Sequence, residues 1–279
     1  MKTRFAAAAM AAVLGAASVG AAPAAPGPSD WRPVDAQNTL VIDTSQGRII
    51  VELYPEVAPA AVAQIEALAR QHFYDGLTFF RVIDGFMDQT GDPQNTGKGA
   101  STMPNLKAEL DFRFAPGPGS GVSELLAVPG GQVGYVGALP VIAQPDAMAG
   151  LTVDGKVRGF GLFCSGVMGM ARAQDPDTAN SQFFLMRGVQ HSLDQKYTPV
   201  GRVISGMAAV RAIKTGDPVA DPRDRMASVQ ILADMPAGVR PDVRVLDTAS
   251  AYFRAEAQAQ RATKGDSFDP CALDVPSNG

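Results

Sequence analysis

The run FFRVIDGFMDQTGD, residues 79–92, decides how the chain is read. It begins apolar and is broken by one charge, Arg81. Asp84-Gly85 supplies a tight-turn signal, because glycine tolerates positive φ without a Cβ clash. A second run, Phe86-Met87, follows and ends in polar residues and Gly91. Two short strands folded back on each other set Arg81 beside Phe86, Met87 and Gln89. Two readings of Arg81 follow. In one it is a strand arginine satisfied by a carboxylate such as Asp84 or Asp88. In the other it is a fixed donor over an apolar pocket. The stretch by itself favours the first.

Composition narrows the classes. The 279 residues carry a formal net charge of −4 and no Lys/Arg block, which argues against nucleic acid as the main partner. Length and a near-zero mean hydropathy suit a soluble globular protein of one large domain or two small ones. His72, His191, Cys164 and Cys271 are the only His and Cys, and none sits at a metal-ligand spacing, so no metal is expected.

Upstream, residues 1–21 read as a secretory signal. Lys2 and Arg4 give a positive start, and an Ala-rich apolar stretch follows that is short for a bilayer. Val19-Gly20-Ala21 offers small residues for cleavage, with alternatives at 22–25. An uncleaved anchor is disfavoured by Pro23, Pro26 and Pro28, so the mature protein is expected to hold no stable membrane insertion and to be periplasmic or secreted. Residues 22–38 read as a flexible arm rich in Pro and Ala.

The remainder alternates short β-rich runs with few helical patterns. Residues 39–54 form a hairpin about Thr44-Ser45-Gln46-Gly47. Residues 58–71 form a helix, with Pro59 in its first turn and Val62, Ile65, Leu68 and Ala69 at helical spacing. His72 at its end reads as a solvated or dipole-favoured histidine. Residues 91–105 are a Gly/Asn/Thr-rich loop. Residues 111–165 are studded with Gly and Pro and lack sustained periodicity. They read as a long loop, functional or mobile, in which 133–143 and 151–163 have the makings of short strands. Residues 166–173, 181–186, 197–204 and 228–232 read as strands, 207–214 as a short helix and 249–262 as a helix in the extension 236–279.

Three motifs, FYDGLTFFRVIDGFMDQTGD, SQFF and LDQKYTPVGRV, together resemble the cyclophilin family of peptidyl-prolyl isomerases. The resemblance runs from about residue 39 to 232, interrupted by 111–165. It implies a mostly β fold: a closed eight-stranded antiparallel barrel capped by two helices. To this the chain adds the loop insertion 111–165 and the C-terminal helical extension 236–279, giving an isomerase domain at 39–235. It also implies a groove that accepts proline-containing peptides and unfolded proteins. Arg81 matches the family's catalytic arginine. Phe86, Met87 and Phe184 match the walls of the proline pocket, and Leu193 its floor. Gln89 and Gln182 match the glutamines that hold the arginine and the peptide. Ala171 and Ala173 match the strand along which substrate lies. Tyr197 falls where the rim often carries His. Arg172 stands where many members have Asn, and its long side chain changes the groove edge. Ser192 stands where relatives that bind cyclosporin well have Trp, so weak cyclosporin binding at most is expected.

Rotating an X-Pro bond breaks no covalent bond to the substrate, so no nucleophile, metal or cofactor is required. Ser192 beside His191 lacks an elbow or oxyanion signature and makes no triad. An exported isomerase is the first reading. A peptide-binding chaperone or interaction module with weak turnover is the alternative, resting on Ser192, Arg172 and the insertion. Cys164 and Cys271 are expected to pair in an oxidising compartment, tying insertion to extension. The alternative is two unpaired thiols, with Cys164 as ordinary core beside Leu162-Phe163.

Overall fold

The computed structural model describes residues 25–278 apart from Pro118 and Pro129. The expected signal at residues 1–21 lies outside the described residues. In chain order the strands and helices are β1 (Trp31–Pro33), β2 (Thr39–Thr44), β3 (Gly47–Leu53), α1 (Pro59–Arg70), β4 (Arg81–Ile83), β5 (Met87–Thr90) and β6 (Phe112–Phe114). There follow β7 (Val122–Val128), β8 (Gly131–Val136), β9 (Leu139–Ala143), β10 (Val157–Gly161), β11 (Val167–Met170) and β12 (Phe183–Met186). The chain ends with β13 (Pro199–Ser205), α2 (Met207–Ala212), β14 (Met226–Ile231), β15 (Arg244–Leu246), α3 (Ala251–Lys264) and β16 (Ser277–Asn278). Among the described residues no helix is long and apolar enough to cross a membrane.

Eight strands form one antiparallel sheet in the order β14-β2-β3-β13-β11-β12-β5-β4. The strand count matches the expectation; the closure does not. β14 and β4 are edges, and the seam between them carries isolated bridges, Thr78 to Arg225 and Val82 to Gly216, instead of a ladder. The cause is the shortness of β4. Just before it, Phe79 N–H donates to Asp224 O and Met226 N–H to Leu77 O. Within it, Val82 exchanges both backbone hydrogen bonds with Gly216 at 2.8 Å, so a loop occupies the free edge. α1 buries Val62, Ile65 and Leu68, and α2 buries Val210, in the inner core of this curled sheet.

The insertion is not a loop. Residues 112–161 carry a second antiparallel sheet of five strands, β6-β10-β9-β8-β7. The Gly and Pro residues that hid it mark turns: Gly137, with φ at 55°, closes the β8–β9 hairpin in which Val136 pairs with Leu139. The arm needs the same correction. From Pro28 it is ordered, because β1 pairs with β15 of the extension. Arg32 then makes a two-point contact with buried Glu52 of β3, at 2.6 and 2.7 Å. Tyr54 Oη also donates to Glu52, and it accepts from Ala138 N–H of the insertion.

These additions explain the unbroken apolar run of β12. Phe183 and Leu185 enter the inner core, while Phe184 and Met186 enter a second core shared with the insertion and the extension. A strand covered on both faces cannot show alternation. β3 behaves alike: Ile49 and Val51 face inward, and Ile50 faces the second core.

Candidate active site

The 79–92 hairpin forms as its turn chemistry requires. Gly85 takes φ at 67°, and Phe86 N–H donates to Ile83 O. Arg81 pairs across with Gln89. Since side chains alternate along a strand, Met87 and Gln89 share one face while Asp88 and Thr90 occupy the other. That parity bears on which carboxylate Arg81 can reach. Asp88 is fully buried on the far face. Both Asp88 and exposed Asp84 face Arg187, at 3.5 and 3.7 Å. Arg187 also donates to the backbone carbonyls of Arg211 and Ile213. Burial pushes the Asp88 carboxyl up to about 7, against the pull of Arg187. Neither nearby carboxylate is therefore the partner of Arg81.

Arg81 is held from two other directions. Its Nη1 donates to Gln89 Oε1 at 3.3 Å, and its Nε donates to Asp217 Oδ2 at 3.1 Å. Gln89 Nε2 donates to Gln182 Oε1 at 2.9 Å, and Gln182 Nε2 to Gly99 O at 2.8 Å. The guanidinium thus ends a relay that crosses the groove to the 91–105 loop.

Beside it lies a cavity of about 120 Å³ lined by Arg81, Gln89, Ala171, Arg172 and the apolar walls Phe86, Met87, Phe184, Leu193 and Tyr197. Met87 is 2% exposed and Phe184 5%, so the walls are packed from behind. Phe184 meets Tyr197 edge-on at 5.9 Å and Phe163 of the insertion at 5.8 Å. Ala173 and Gln182 line the neighbouring groove of about 470 Å³, which shares Gln89, Ala171 and Arg172 with the cavity.

The long side chain of Arg172 lies at the edge of the groove and the cavity, folded back onto its neighbours. Its guanidinium stacks 4.4 Å from the centre of the Tyr197 ring and donates to the carbonyls of Lys196, Ala173 and Gln174. Among the described residues its backbone N–H and C=O, just past the end of β11, have no internal partner. Such an edge accepts an extended peptide by main-chain pairing.

Leu193 sits in a single turn, His191–Leu193. His191 Nδ1 faces Asp194 at 2.8 Å, and Nε2 faces Asp269 of the extension at 3.2 Å. Ser192 Oγ donates to Gln190, not to His191, so no nucleophilic pair exists there. Cys164 and Cys271 are joined in a disulfide with Cα atoms 5.1 Å apart. His191, Asp269 and Cys271 converge within 4.8 Å, but the sulfur is committed to the disulfide and cannot serve a metal.

Sequence reasoning missed Asp217 and Phe163. Asp217 lies 136 residues from Arg81, and no local pattern joins them. Phe163 fell at the end of a segment, 151–163, read only as a candidate short strand, and nothing local links it to Phe184.

The comparisons with known proteins agree with this geometry. A family model described as cyclophilin type peptidyl-prolyl cis-trans isomerase/CLD matches residues 39–233. The chain is 36% identical over 193 residues to a probable peptidyl-prolyl cis-trans isomerase of Brucella suis, covering 65% of this chain and 74% of that protein. It is 30% identical over 212 residues to peptidyl-prolyl cis-trans isomerase-like 1 of Mus musculus, covering 76% and 97%. The crystal structure of the cyclophilin AquaCyp293 from Hirschia baltica superposes with a TM-score of 0.79 at 30% identity, covering 90% of this chain and 94% of that one.

Proposed function

Because the chain belongs to the cyclophilin-type peptidyl-prolyl cis-trans isomerase family, we propose that it turns X-Pro bonds of exported proteins, with Arg81 donating to the twisted amide. The observation that carries this is the guanidinium fork at the rim of the apolar cavity, with Nε and Nη1 occupied and the remaining N–H groups free to face it.

The X-Pro amide resists rotation by about 18–20 kcal/mol because twisting destroys its resonance. At the top of the barrier the nitrogen regains its lone pair and becomes a hydrogen-bond acceptor. Arg81 supplies a permanently charged, planar donor for it. The cavity holds the proline ring while the acyl side turns, and the free backbone of Arg172 pairs with the flanking peptide. A ten-thousandfold to millionfold acceleration needs roughly 5–8 kcal/mol. A charge-assisted hydrogen bond contributes about 1.5–3 kcal/mol. The balance falls to desolvation in the pocket and to flanking contacts that favour the twisted geometry.

Substrates are therefore proline-containing segments of folding or unfolded chains. With Arg172 folded onto Tyr197, its side chain no longer speaks for a groove that binds without turning over. The Cys164–Cys271 disulfide supports an oxidising, extracytoplasmic compartment. Ser192, in place of an indole, supports weak cyclosporin binding.

The deciding experiment is a protease-coupled or NMR exchange assay on an Ala-Pro peptide, run on wild type and Arg81→Ala. Wild type turns the peptide over, and a folded Arg81→Ala loses most of that rate. A folded variant with near-wild-type turnover would sink the role of Arg81.

A further inference from the structure

We infer that Asp217 is the positioning residue for Arg81. This rests on Arg81 being the donor. A planar guanidinium held by one hydrogen bond can still pivot about that bond; a second, on a different nitrogen, fixes its plane. Gln89 holds Nη1 and Asp217 holds Nε. The two acceptors hold different nitrogens, which leaves the Nη2 N–H groups unclaimed by either of them while Arg81 lines the cavity.

The placement of Asp217 is structural. Its neighbour Gly216 exchanges two backbone hydrogen bonds with Val82, one residue after Arg81, and Val219 N–H donates to Phe80 O, one residue before it. A Cβ on Gly216 would lie 2.7 Å from the Val219 Cα and 2.9 Å from the Pro218 carbonyl, so the turn admits only glycine. The loop that spoils barrel closure is thus the one that delivers a carboxylate to the arginine. Its ion pair is half exposed, with side-chain accessibilities of 36% and 53%. An exposed pair of this kind adds little to stability. Its effect falls on orientation, where small misplacements of a catalytic group lower rates steeply.

A double-mutant cycle tests this: Asp217→Ala, Arg81→Ala and both together, with kcat and KM measured on an uncharged Ala-Pro peptide and folding checked by circular dichroism. Asp217→Ala is expected to lower kcat roughly tenfold, with KM within about twofold of wild type because the apolar cavity is intact. In the Arg81→Ala background the same change is expected to do nothing further, since Asp217 acts only through the guanidinium. Asp217→Glu is expected to recover more rate than Asp217→Asn. Wild-type kcat in Asp217→Ala, or an equal loss with and without Arg81, overturns the inference. An Arg81→Ala variant with wild-type rate overturns instead the donor role on which it rests, so the two failures are distinguishable.

Discussion

Phe163, in the insertion, packs against Phe184, a wall of the apolar cavity, with the rings tilted 30° and 5.8 Å between their centres. Phe163 is fully buried and Phe184 nearly so. The insertion therefore braces the pocket from behind. Gly169 of β11 sits between the same two rings, where an added Cβ would come within 2.6 Å of Phe163 and 2.7 Å of Phe184. Phe163→Ala should cost about 3–5 kcal/mol of stability. It should also lower kcat/KM, although Phe163 does not line the cavity. Chemical denaturation and turnover measured together check this, and an active variant of unchanged stability would refute the bracing role.

The cavity walls themselves give a second prediction. Met87→Ala and Phe184→Ala each open the space proposed to take the proline ring. Each should raise KM and lower turnover, and each should lose about 2–5 kcal/mol of stability, since both side chains are buried. Full activity in both variants would mean that the ring binds elsewhere.

The disulfide gives a third. Cys164 follows Phe163 directly, and Cys271 lies 107 residues further on. Closing a loop of that size is valued by chain entropy at about 4–5 kcal/mol at most. Reduction, or Cys271→Ser, should lower Tm, because the disulfide ties the extension to Cys164, next to Phe163. A thiol count on the denatured, unreduced protein should find none free. Two free thiols would remove the disulfide from the account.

His191 gives a pH dependence. Burial pulls its pKa down, but the hydrogen bonds to Asp194 and Asp269 outweigh this and raise it above the ordinary histidine value. A raised folded pKa means that the protonated clamp stabilises fully below the unfolded value of about 6.5 and is lost as pH rises through the folded one. Tm should therefore fall as pH climbs through that window, and His191→Gln should flatten the fall. An identical slope in wild type and variant would show that the clamp does not couple to folding.

Export gives the last prediction. Mass spectrometry of the protein from its native compartment should find a mature N-terminus near Ala21. An intact Met1 on a cytoplasmic protein would refute the compartment proposed from the charged start and the disulfide.

What was legible in the sequence was local. The 79–92 hairpin follows from Asp84-Gly85 and two short β-rich runs, and α1 from Pro59 with apolar residues three and four apart. Cavity residues Arg81, Phe86, Met87, Gln89, Phe184 and Leu193 were legible because they sit inside contiguous motifs. The pairing of Cys164 with Cys271 was an expectation that rested on an oxidising compartment, with two unpaired thiols as the alternative, and the fold decides it by bringing their Cα atoms to 5.1 Å. What only the tertiary structure decided depends on contacts between distant segments. The insertion became a sheet because its strands bury against β11, β12 and the extension, contacts between distant segments that its Gly- and Pro-rich sequence does not announce. The seam stayed open because Gly216 took the free edge of β4. Arg187 took Asp84 and Asp88, the two carboxylates of the hairpin itself, since alternation turned Asp88 to the other face, and Asp217 arrived from a loop 136 residues away. Turn chemistry and periodicity act over a few residues and can be read off a chain. Charge pairing follows distance in space, and that distance exists only once the chain has folded.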